Sequence, residues 1–197
     1  NGFYSALEDL VHFYIPSDSG RMDSLPRNWK SLVATSRNCL GDDDVNFATS
    51  LHIAFDANSA ISSAVVGQLD GRTMKVLKSF FVKTPLKLPE LVQNICDYYQ
   101  PKLSKKITFY FDSTFTWTDA RSGESYADII CRVFEENGWE VAMVYVGPPP
   151  RHDWKHELID LSLKGDPTYL HIRFNALNNE FLKIALEQTG VRQGKNG

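Results

Sequence analysis

Apolar residues recur along this chain in two rhythms, and the alternation between them orders its elements. Residues 51–57 (Leu-His-Ile-Ala-Phe-Asp-Ala) make a short apolar run that reads as a buried strand. Residues 62–69 and 73–82 read as strands too, joined by Asp70-Gly71, a strong hairpin signal. Pro85 and Pro89 break the pattern, and Pro89 suits the first turn of a helix. Over 88–99, Leu91, Ile95 and Tyr98 or Tyr99 fall at helical spacing, and Pro101 stops the run. Residues 106–112 form a fourth predicted strand. A helix over 125–137 meets its stop at Gly138, and 139–146 is a fifth strand. Pro148-Pro149-Pro150 stiffen a loop. A helix over 153–164, a short extended run over 168–174 and a helix over 178–188 complete the chain.

Residues 1–47 have a different texture. An aromatic helical stretch over 3–14 gives way to polar, loop-rich sequence through Asp42-Asp43-Asp44. We expect a connector or arm there rather than core, with the folded domain spanning 48–197. Within that domain the order is β-β-β-α-β-α-β-α. The first three strands make an antiparallel meander, and the later ones enter by helical crossovers, which sets them parallel to their neighbours. The prediction is an α/β fold with a mixed five-stranded sheet flanked by helices, the element order of the ribonuclease H-like fold.

Two acids sit at matching places in this order. Asp56 ends the first strand and Asp112 ends the fourth. An ionised carboxylate near a core is costly unless it is paired or holds a metal; the ordinary alternative is a turn-forming Asp at a strand end. Two such acids on strands that can be neighbours make a divalent-metal site a serious candidate.

Composition narrows the field. The 197 residues, 43% of them apolar, suit one domain with a sizeable core. No apolar run approaches a membrane span of about 20 residues, and no signal-peptide pattern is present. Cys39, Cys96 and Cys131 are odd in number and far apart, which argues against a disulfide framework or a cysteine zinc site. The net charge of −3 excludes a generally basic nucleic-acid binder. Yet between Arg72 and Lys106 eight basic residues face only Glu90 and Asp97. That window reads either as a phosphate-binding face or as solvated lysines guarding an edge strand. The chain opens at Asn1 without Met and closes at Gly197, so we expect a piece of a longer protein.

Several local sequences carry a family resemblance. These are Phe55-Asp56-Ala57-Asn58, Tyr110-Phe111-Asp112-Ser113-Thr114 and Asn137-Gly138-Trp139-Glu140-Val141, followed by Arg151-His152-Asp153-Trp154-Lys155 and the run from Arg173-Phe174-Asn175 to Glu180. In this order and spacing, over roughly residues 50–190, the chain resembles the C-terminal nuclease domain of a viral terminase large subunit of the tailed-phage type. The resemblance implies that the first and fourth strands lie side by side. It implies that Asp56 and Asp112 are catalytic and hold Mg²⁺ or Mn²⁺, two ions in all, and that the domain cuts concatemeric double-stranded viral DNA during genome packaging. Residues 1–47 would then lead from an ATPase domain of the same full-length chain. The portal and the small terminase subunit would be further partners, no membrane would be involved, and the setting would be the cytoplasm of the infected host cell. No Gly-x-x-x-x-Gly-Lys-Ser/Thr phosphate loop occurs in this stretch, so it should not hydrolyse ATP itself.

The family also has a third acid, after the position of the last predicted helix. We expect it beyond Gly197, or replaced in-chain by Asp153 with Glu157, or by Asp119 with Glu124. Arg151, His152, Lys155, Lys75 and Lys78 are the candidate DNA contacts. His152 and His156 at i, i+4 also have a zinc-compatible spacing, without the cysteine or His-Glu-x-x-His partners that would strengthen it. His52 reads as a satisfied half-buried residue, and Trp117 either packs locally or meets DNA. Two other readings stay open: a DNA-gripping or docking module with an incomplete active site, and another ribonuclease H-like nuclease, such as a resolvase or transposase.

Overall fold

The structure, a computed structural model, describes residues 4, 6–15, 38–58, 60–118 and 123–188. Seven strands form one mixed sheet: β1 (Phe13–Tyr14), β2 (Leu51–Ala57), β3 (Ile61–Asp70), β4 (Thr73–Lys83), β5 (Lys106–Phe111), β6 (Glu140–Tyr145) and β7 (His171–Asn175). Their spatial order is β1-β7-β4-β3-β2-β5-β6. The helices are α1 (Asp9–His12), α2 (Leu88–Tyr98), α3 (Tyr126–Glu136), α4 (His152–Leu163) and α5 (Glu180–Gln188). This is an α/β fold with a mixed sheet between helical layers, and the meander and parallel crossovers follow the ribonuclease H-like order.

The sheet has seven strands where the sequence predicts five. The run over 168–174 becomes β7, parallel to β4, and β1 adds beyond it, parallel to β7. Both lie on the side of the meander away from β5. The arm is therefore not wholly outside the core. Phe13 is buried and stacks on Phe174 at 5.1 Å, while Cys39 and Val45 enter the main core.

That main core lies on one face of the sheet. Leu51, Ile53, Val66, Leu77, Ile107 and Phe109 meet Leu91, Val92 and Ile95 of α2 and Ile130 and Phe134 of α3. Helix α3 starts where Ser125 and Asp128 cap each other reciprocally, and the chain leaves it at Gly138 with φ 78°. The opposite face is smaller: Val65, Val76 and Phe174 meet Ile159 and Leu163 of α4 and Leu182 and Leu186 of α5. A bulge makes the two-sided burial possible. Val66 pairs with Lys78 and Gly67 with Val76, which leaves Leu77 as the extra residue of β4. Val76 then joins the smaller core and Leu77 the main one. The three cysteines are free and buried. Among the described residues no helix is long and apolar enough to cross a membrane.

Candidate active site

Strands β2 and β5 run parallel and side by side, with Ala54 paired to Tyr110. Asp56 and Asp112 each stand two residues further on. Side chains two apart on a strand share a face, so both carboxylates leave the same face at the same end of the sheet. They open into one cleft of about 830 Å³, whose lining also includes Thr114, Trp117, Lys87, His152 and Lys155. Clefts beyond the carboxyl ends of parallel strands are the usual ligand sites of α/β sheets.

The two acids differ in their surroundings. Asp56 is exposed, and among the described residues its carboxylate has no hydrogen-bond or ion-pair partner. Asp112 is half-buried and caps the 3-10 turn Ser113–Thr116. Its Oδ1 accepts from the Thr114 N–H at 2.9 Å and the Thr114 hydroxyl at 2.6 Å. Asp112 is thus the turn-forming residue that strand-end acids usually are, and one of its oxygens stays uncommitted. An uncommitted carboxylate oxygen on each of two adjacent strand ends is a donor set that fits a hard cation such as Mg²⁺ or Mn²⁺.

Among the described residues a third acid is not supplied. Among the described residues no group of three or more His, Cys, Asp or Glu side chains is placed to share a metal. Asp153 pairs with Arg151 at 2.7 Å and accepts from the Trp154 N–H. With Glu157 it borders a separate shallow groove. Glu124 pairs with Arg132 at 3.1 Å, and Asp119 lies outside the described residues. The zinc-compatible histidines also separate, since His152 lines the cleft while His156 stacks on Tyr4 at 5.2 Å.

Of the candidate DNA contacts, the cleft gathers His152 and Lys155, one turn apart at the start of α4. Arg151 faces the neighbouring groove instead. Lys75 and Lys78 do not line the cleft. Lys75 pairs with Asp70. Lys78 lies over the Tyr98 ring at 4.6 Å and donates to Asn178 Oδ1 at 3.5 Å, and burial lowers its pKa. The rest of the basic window is similarly occupied. Arg72 donates to the Pro167 and Tyr169 carbonyls, and buried Lys102 donates to those of Asn46 and Thr49. Lys105 donates to the Tyr99 and Gln100 carbonyls, and Lys106 pairs with Glu140. Of the eight basic residues in that window only Lys87 lines the cleft. Its signal in the sequence was its place between Pro85 and Pro89, at a helix start. His52 is half-buried as expected and shares a hydrogen bond with the Tyr110 hydroxyl at 3.0 Å; burial lowers its pKa.

A second acid cluster lies on the other side of the meander and went unrecognised in the sequence. Asp42 accepts from the Tyr98 hydroxyl and from Asn178 Nδ2. Asp44 accepts from the Tyr14 hydroxyl at 2.6 Å and from Asn175 Nδ2 at 3.0 Å. Burial raises both carboxyl pKa values. These bonds fasten the segment before β2 to β1, β7 and α2.

Among solved structures the chain is similar to the large terminase from a thermophilic bacteriophage. One structure of that protein matches with a TM-score of 0.46 and 12% identity over 92% of this chain and 35% of the terminase chain. The complex with ATP-gamma-S gives 0.49 and 11% over 92% and 36%, and the complex with ADP gives 0.48 and 11% over 92% and 35%. The chain spans about a third of the length of these terminase chains. No family model matches the chain, and no curated protein matches it.

Proposed function

We propose that this chain is a divalent-cation-dependent DNA endonuclease unit, the cutting part of a terminase-type DNA-packaging protein. The observation that carries the reading is the shared register of Asp56 and Asp112 at the mouth of a cleft that also holds His152, Lys155 and Lys87. Asp56 and Asp112 would hold one or two Mg²⁺ or Mn²⁺ ions. When bound, such ions supply an activated water and charge stabilisation at the leaving oxygen. Thr114 fixes one oxygen of Asp112 and so sets the direction of the other. Lys155 and Lys87 in the same cleft offer charge to backbone phosphates, which positions a strand without reading its bases. The packaging role, with an ATPase domain in the same full-length chain, the portal and the small subunit as partners in the host cytoplasm, rests on the sequence resemblance.

One observation favours a second reading, a DNA-gripping module with an incomplete site: the described residues offer two metal-binding acids and no third. Plasmid nicking in Mn²⁺ separates the two. The nuclease reading expects nicking by the parent chain and none by Asp56→Asn or Asp112→Asn, each still folded as judged by a cooperative melt without metal. Nicking by Asp56→Asn at the parental rate would end the nuclease reading. DNA binding by the parent with no nicking would favour the gripping module.

A further inference from the structure

The cleft lining is chemically mixed, and the nuclease chemistry uses only part of it. Asp56, Asp112, His152 and Lys155 supply polar groups. The lining also includes Ile61, Leu86 and Trp117, which are 40%, 49% and 68% exposed. Three large apolar side chains left in water in the lining of a cleft of about 830 Å³ are not part of the core. Trp117 is also held in place. Its backbone N–H donates to the Thr114 carbonyl, and its own carbonyl accepts from the Tyr126 N–H at 3.1 Å. Phe115, two residues before it, is buried against Phe109. The turn is therefore anchored while the indole is presented outward. The other described tryptophans differ: Trp139 is buried, and Trp154 is exposed in the neighbouring groove.

From this lining we propose that Trp117 is a base-stacking platform, with Leu86 and Ile61 as further apolar surface of the same cleft, and that the cleft takes a nucleic-acid strand whose bases are unpaired. The inference rests on the nuclease reading for what happens at the acids, but the stacking itself needs no cleavage. Duplex DNA hides its base faces within the stack and offers phosphates, sugars and base edges outside. An indole face finds no partner there. A single strand presents both phosphates and open base faces, and the lining offers Lys87, Lys155 and His152 for the first and Trp117 for the second. Aromatic platforms beside a basic track are how proteins hold single strands without sequence preference. Trp117 would then set substrate preference, favouring frayed ends, flaps or locally melted duplex over intact helix.

Binding to a labelled oligothymidylate of about twelve nucleotides, within the usual site size for such grooves, and to a blunt hairpin duplex, both in EDTA so that nothing is cut, tests this. The expected result is tighter binding of the single strand, with quenching of tryptophan emission. Trp117→Ala should lose about ten- to a hundred-fold of that affinity and the quenching, while Trp117→Phe keeps most of the affinity. Trp154→Ala should match the parent, and Leu86→Ser should weaken only the single strand. The proposal is overturned if Trp117→Ala binds the single strand as the parent does, if both substrates weaken equally, or if the parent prefers the intact duplex. Capture of an extended apolar peptide with no oligonucleotide binding would also overturn it. The two ideas fail separately. A protein that stacks the single strand but never nicks plasmid in Mn²⁺ loses the nuclease reading and keeps this one. A nicking protein indifferent to Trp117 loses this one alone.

Discussion

Asp56 and Asp112 stand at equivalent positions on neighbouring parallel strands, each two residues past the Ala54–Tyr110 pair. Two like charges brought together this way repel unless a cation lies between them. Metal binding should therefore appear as thermal stabilisation. At a hundred times its Kd, Mn²⁺ should add about 2.7 kcal/mol to the parent and little to Asp56→Asn. Without metal, Asp56→Asn should melt at or above the parental temperature. Calorimetric melting with and without Mn²⁺ measures both.

Lys155 and Lys75 should behave differently toward DNA. Lys155 lines the cleft, whereas Lys75 is paired with Asp70 on the β3–β4 hairpin. Every phosphate that is no longer neutralised makes the log–log salt dependence shallower by roughly 0.9. Lys155→Ala should show that change, about equally for all sequences. Lys75→Ala should show none. Fluorescence anisotropy across a salt series distinguishes them, and the opposite ranking would move the DNA path to the hairpin.

The buried acids before β2 should leave a signature in pH. Burial raises Asp44 above its ordinary value of 3.8, with the neighbouring Asp42 charge adding to the shift. A raised value means that the folded state holds the proton more tightly than the unfolded chain. The resulting stability is fully present below about pH 3.8 and is lost as pH rises through the folded-state value. Asp44→Asn cannot ionise, so its stability relative to the parent should improve as pH rises through that window. Urea denaturation at a series of pH values from acid to neutral reads the difference directly.

Gly67 is needed for space. A Cβ there would lie 2.8 Å from the Lys75 carbonyl oxygen and 2.9 Å from the Met74 sulfur. The sulfur can swing aside, but the carbonyl belongs to the strand. Gly67→Ala should cost about 1–3 kcal/mol, as overpacking usually does, and should shift the denaturation midpoint accordingly.

The part of the fold that bears the acids was legible because β2 and β5 are apolar strands ending in a charge; the resemblance implies that they are neighbours, and the helical crossover makes neighbours parallel. Strand β7 was harder to read. His171 and Arg173 interrupt its apolar content, and the two-residue β1 is too short to show a period. The basic window was ambiguous for a different reason. A lysine facing a phosphate and a lysine facing carbonyls look the same in sequence, and Lys102 does the second while almost fully buried. Asp42 and Asp44 read as loop residues because groups that satisfy them lie far along the chain: Tyr98 is 56 residues from Asp42, Asn178 is 136 from it, and Asn175 is 131 from Asp44.

The seam between β1 and β7 also has a consequence for the order in which the molecule assembles. Closing it brings together groups as far apart as Arg173 and Val11, 162 residues along the chain. The acid-bearing strands meet over much shorter loops, as in the 58 residues between His52 and Tyr110. Shorter loops close at lower entropic cost. The strands of the cleft can thus find each other before the two ends of the sequence are sewn together. In the finished molecule the outer seam is the place where the sheet opens first, and amide exchange should spread inward from Phe13 and Phe174 while β2 and β5 are still protected.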